Sequence, residues 1–108
     1  MQKLLLKNYL KAFNNHDIKS LKKLFDSNID LKDWEIEAKG QTSVLQHNKK
    51  IFINFPDIKA KVIKSYFLEK IIFCELEIFL SKVDKIYVLD ILELNDINKI
   101  IKIRAFKG

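Results

Sequence analysis

The second half of the chain has few ways to fold. Four runs rich in Ile, Val, Phe and Tyr, residues 59–68, 71–81, 85–94 and 99–106, follow one another with short polar gaps. The gaps fall near Glu69 and Lys70, at Lys82-Val83-Asp84, and at Asn95-Asp96-Ile97-Asn98. Runs of this length and composition read as strands. Connections this short join antiparallel neighbours, because a parallel crossover needs about a dozen residues or more. The expectation is a four-stranded meander.

The first half reads differently. Over residues 2–14, Leu5 or Leu6, Tyr9, Leu10 and Phe13 recur at helical spacing, with Lys3, Lys7, Asn8 and Lys11 elsewhere. Asn14, Asn15 and His16 break the pattern. Asp17 is a good N-cap for a second short helix carrying Leu21, Leu24 and Phe25, which Asp26-Ser27-Asn28 ends. Residues 29–37 alternate as a strand, with Ile29, Leu31, Asp33, Glu35 and Glu37 on one side and Trp34 and Ile36 on the other. After Gly40, Thr42 or Ser43 can cap a third helix whose stripe is Val44, Leu45, Asn48, Ile51, Phe52 and Phe55, with Pro56 just beyond its end. His47 is read as facing solvent. Helices gathered early and strands late predict an α+β layer fold, in the order α-α-β-α-β-β-β-β.

Bulk properties exclude several function classes. At 108 residues the chain, 1–108, is read as one domain with a single core. The net charge of +6 invites a nucleic-acid reading, but the lysines are scattered and Arg104 is the only arginine. No nucleic-acid partner is expected. Cys74 is the single cysteine, which excludes an internal disulfide and any multi-cysteine metal site. No metal ligand set and no cofactor motif is apparent. Leu4–Leu6 is too short for a signal-peptide core, and no stretch approaches membrane-spanning length. A cytoplasmic protein without membrane contact is expected.

Asp90 is the conspicuous polar residue. It sits in an apolar strand with Val88, Leu92 and Leu94 on its own side. A carboxylate there is costly to bury unless it is paired or protonated.

The element order and its motifs resemble the NTF2-like superfamily, which includes SnoaL-like cyclases and ketosteroid isomerases. The segment Tyr9–Asp17 is similar to that superfamily's first helix ending in a loop Asp. Leu24–Trp34 is similar to its aromatic, acidic-turn and strand pattern. Val88–Ile100 with Ile103–Phe106 is similar to its last two strands and their turn. The resemblance implies a cone: three helices packed on a strongly curved, mostly antiparallel sheet. In ketosteroid isomerases a first-helix Tyr precedes a general-base Asp at the separation seen between Tyr9 and Asp33. Aligned back from Ile103–Phe106, Asp90 falls where they carry an oxyanion-hole Asp. By resemblance, Asp33 is the candidate base, and Tyr9 and Asp90 are the candidate donors.

The chemistry needs those types. The base must be ionised near neutral pH, the enolate needs donors aimed at its oxygen, and an Asp donates only while protonated. Ketosteroid isomerase itself is the reference case for this division of labour. Phe13, Phe25, Phe52, Phe55, Val88 and Leu92 are the expected apolar lining. Phe25 stands where the isomerases carry a second Tyr, Trp34 where a Pro is usual, and Lys107 where an aromatic would line a steroid site. A smaller carbonyl-containing, non-steroid substrate is therefore expected, turned over by an isomerase or lyase without a cofactor. The alternative is a non-catalytic module that binds a small ligand or serves as a dimeric interaction domain. Phe67, Phe73, Phe79 and Tyr87 are read as lying on the outer sheet face, and the resemblance implies a homodimer through that face.

Overall fold

A computed structural model describes all residues, Met1–Gly108. The chain forms helices α1 (Gln2–Asn14) and α2 (Ile18–Leu24), strands β1 (Phe25–Lys32) and β2 (Glu37–Lys39), and helix α3 (Gln41–Asn54). Strands β3 (Lys59–Leu68), β4 (Ile71–Phe79), β5 (Lys85–Leu94) and β6 (Ile100–Lys107) follow. All six strands form one sheet, ordered β2-β1-β6-β5-β4-β3. Every pair is antiparallel except β1 with β6, which run parallel. The fold is α+β, with three helices on one face of a mostly antiparallel sheet.

Alternation sets the inward face. Ile72, Cys74, Leu76 and Ile78 of β4 and Val88, Asp90, Leu92 and Leu94 of β5 are all buried. They meet Leu5, Leu6, Tyr9 and Ala12 of α1 and Val44, Leu45 and Phe52 of α3 in one core. Side-chain bonds fix α1 against the sheet. The Asn14 Nδ2 donates to the Ala60 carbonyl (2.9 Å) while the Ala60 N–H donates to Asn14 Oδ1 (2.7 Å), closing a ladder that a neighbouring strand would otherwise supply. His16 stacks on Phe52 at 4.3 Å, and its Nε2 donates to the Ile58 carbonyl at 3.1 Å. Asp17 caps α2 through Ser20, whose N–H and hydroxyl hold its carboxyl below the usual carboxylate range.

Three local expectations change. The strand predicted over 29–37 is instead β1 and β2 with a turn between them. It begins at Phe25, because Phe25 already pairs with Ile100 of β6, so α2 ends at Leu24 and Asp26–Asn28 belong to the strand. The chain turns after Lys32 because the Asp33 carboxylate captures the N–H groups of Glu35 and Ile36, each at 2.8 Å. Helix α3 is entered from Gly40 rather than from a Thr42 or Ser43 cap. Gly40 has φ 86° while its N–H donates to the Ile29 carbonyl at 2.7 Å, and a side chain would strain that backbone.

The outer face of the sheet also differs in one residue. Phe73, Phe79 and Tyr87 lie on it, but a register shift between Val62 and Lys64 turns Phe67 inward, opposite Ile72. Tyr66 takes the outer place, in register with Phe73, which continues through Ile91 to Arg104. No helix is long and apolar enough to cross a membrane.

Candidate active site

Between α1, α3 and the inward face of the sheet lies a cavity of about 290 Å³. Most of its wall is apolar. Its polar groups are Tyr9 from α1, Asp33 from the β1–β2 turn, His47 and Asn48 from α3, and Asp90 from β5, with Glu35 and Lys107 also in the lining. The topology explains the convergence. Helix α1 crosses over the sheet, β5 lies near its middle, and the Asp33 turn projects the carboxylate from the end of β1.

The acids differ in environment. Asp90 is 9% exposed and is in register with Cys74 on one side and Ala105 on the other. Burial, and then the charge of Asp33, push its carboxyl up to about 7. Tyr9 is held well above the usual phenol value, first by burial and then by the charge of Asp90. Tyr9 is therefore an O–H donor at neutral pH, and Asp90 keeps its proton to far higher pH than an ordinary carboxyl. Asp33 is partly open to solvent. Its Oδ1 takes the two turn N–H groups, and its Oδ2 lies 3.4 Å from His47 Nε2. The Cys74 thiol is pushed up to about 12, by burial first and then by Asp90, and is inert as a nucleophile.

Tyr9, Asp33 and Asp90 thus line one cavity, together with Phe13, Phe55 and Val88. Phe25, Phe52 and Leu92 do not line it. They are buried in the core, where Phe25 packs on the Tyr9 ring at 6.4 Å and Phe52 on the Phe13 ring at 5.2 Å. Trp34, expected on the opposite side of a strand from Asp33, lines the cavity beside it because both sit in the turn. Glu37 is exposed and faces Lys39 at 3.8 Å, away from the lining.

Two residues were missed as members of the site. His47 lines the cavity instead of facing solvent. The signal was present: it is three residues after Val44 and four before Ile51, on the same helical stripe. In the sequence pattern Asn48 stands only as a stripe residue. Its Oδ1 is buried without a hydrogen-bond partner, a state that costs about 1–3 kcal/mol. No group of three or more His, Cys, Asp or Glu is placed to hold a metal ion.

No family model matches the chain, and no curated protein matches its sequence. Solved structures do match its fold. An NTF2-like protein of unknown function from Cytophaga hutchinsonii superposes with a TM-score of 0.86 at 14% identity, over 100% of this chain and 90% of that one. A SnoaL-like protein of unknown function from Burkholderia thailandensis gives 0.89 at 11% identity, over 98% and 93%. The chain has the NTF2-like fold. A third structure with a ketosteroid isomerase-like fold, from Catenulispora acidiphila and in complex with trimethylamine, matches at 0.82 and 10% identity, over 94% and 82%. The cavity of this chain opens between the helices and the inward face of the sheet.

Proposed function

We propose that this protein is a cofactor-independent isomerase or lyase that moves a proton on a small carbonyl-containing, non-steroid substrate, in the manner of a ketosteroid isomerase. One observation carries the reading: a single apolar cavity holds both the Asp33 carboxyl, which accepts two turn N–H bonds, and a carboxyl at Asp90 whose environment favours the protonated form. A buried carboxyl held toward its protonated form takes the donor end, which leaves the basic end to Asp33. Asp33 carries the negative charge that drives proton removal. Tyr9 and Asp90 donate to the oxygen that becomes an enolate. A cavity of about 290 Å³ lies at the small end of the range for ligand pockets, which favours a one- or two-ring compound over a steroid. A cytoplasmic setting is part of the proposal.

The test uses 4-nitrophenol, which mimics an enolate and reports its ionisation by colour. Binding with a shift toward the phenolate band is expected. Tyr9→Phe keeps the ring packed on Phe25 and removes one donor. It is expected to weaken phenolate binding by about tenfold and to lower turnover by about 10²-fold. Binding as the neutral phenol, indifferent to Tyr9→Phe, would instead support the rival reading, a non-catalytic small-ligand-binding module.

A homodimer through the outer sheet face belongs to the same proposal. That face carries Tyr66, Tyr87 and Phe106, each about half exposed, with Phe73, Leu89 and Ile91 between them in register. Sedimentation equilibrium should give twice the chain mass; a monomer at high concentration would remove this part.

A further inference from the structure

We infer that His47, held by Asp33, is the group that takes the proton, so that Asp33 is a positioning residue and not itself the base. This rests on the proton-transfer reading above. Three observations lead to it. Asp33 Oδ1 is occupied by the N–H groups of Glu35 and Ile36, which lock the carboxylate in the turn. The remaining oxygen, Oδ2, lies 3.4 Å from His47 Nε2, within ion-pair range. Nδ1 of His47 has no partner in the chain, and the imidazole lines the cavity. A carboxylate that accepts from one ring nitrogen fixes the tautomer and leaves the other nitrogen as the base, and at 3.4 Å a small side-chain rotation suffices to make that bond here. Separations of this size in a ligand-free site commonly shorten once substrate is bound.

The step balances without any further reagent. In cyclohex-3-enone, the C–H bond between the carbonyl and the double bond breaks, and its proton passes to His47 Nδ1. The electron pair forms a dienolate whose oxygen takes hydrogen bonds from Tyr9 and Asp90. The imidazolium, steadied by Asp33, returns the proton to the far carbon of the former double bond, giving cyclohex-2-enone. One proton is carried, and nothing is oxidised or reduced. Helix α3 suits this task better than the β1–β2 turn. His47 rides on a rigid helix beside Val44 and Asn48, both buried, whereas Asp33 sits in a turn held by its own side chain.

The experiment has two readouts on the intact chain. Nitrogen-15 spectra of the His47 ring at neutral pH should show the Nε2–H tautomer, and Asp33→Asn should abolish that preference. His47→Gln, and His47→Asn as a second variant, should lower the rate of cyclohex-3-enone isomerisation by about 10²-fold or more. Either variant retaining turnover within a few-fold would mean that Asp33 acts directly, and the inference would be overturned while the proposed function stood. An Nδ1–H tautomer in the wild type would overturn it too. A wild type that isomerises no cyclohex-3-enone yet shows the Asp33-dependent tautomer would keep the pair and remove the proposed function for this ketone.

Discussion

Asn in place of Asp33 is expected to lower turnover of an enolisable ketone by about 10³-fold and to leave the fold in place. The two halves of this expectation have different causes. The turn depends on one carboxylate oxygen accepting N–H bonds from Glu35 and Ile36, and an Asn side-chain oxygen accepts the same pair. Stability should therefore change by no more than about 1 kcal/mol. Catalysis depends on the negative charge beside His47, which the amide lacks. Whether the proton goes to the carboxylate or to the imidazole it orients, removing that charge takes away general-base catalysis, an effect of about 10²–10⁴-fold. Side-by-side thermal melts and ketone isomerisation rates decide it. Undiminished turnover by a folded Asp33→Asn variant would end the catalytic reading.

The second large effect is on stability. Asp90 has a carboxyl value near 7 in the folded protein against an ordinary 3.8. Between those values the folded chain holds a proton that the unfolded chain has released. Stability must then fall as pH rises through this window, by up to about 1.4 kcal/mol per pH unit, and the penalty is complete above the folded value. Asp90→Asn removes the titration and keeps the shape. The variant should match the wild type near pH 4 and exceed it at pH 8, by up to about 4 kcal/mol before any cost of burying the amide. Urea unfolding at the two pH values measures the difference directly. A stability gap between the two proteins that stays constant with pH would show that Asp90 does not sit in the apolar setting described. The same substitution weakens the donor end of the cavity, so stability and function oppose one another at this position.

These effects bear on what the chain reveals before it folds. The meander was legible because each strand is long, alternates cleanly and is bounded by short polar gaps. Tyr9 and Asp90 were legible for a related reason: a polar group on an apolar stripe or strand face has to be explained by something. Other features depend on distant partners. That β1 starts at Phe25 is decided by parallel pairing with Ile100, which no local pattern near residue 25 contains. The turn at Asp33 interrupts a run whose alternation continues through it, since a side chain capturing N–H groups leaves no periodic trace. Phe52 and Phe55 share a helix and a residue type, yet one is buried against Phe13 and His16 and the other lines the cavity. Only the position of the opening separates them. Likewise Val88 and Leu92 alternate alike on β5, but the cavity reaches only one of them.

The place of β6 in the sheet has a consequence for how the molecule comes into being. Strand β6, the last of the six in chain order, lies between β1 and β5, so the early hairpin and the later meander cannot join into one sheet until residues 100–107 are in place. Until then, each presents an unpaired strand edge open to wrong pairing, and one insertion closes both edges at once.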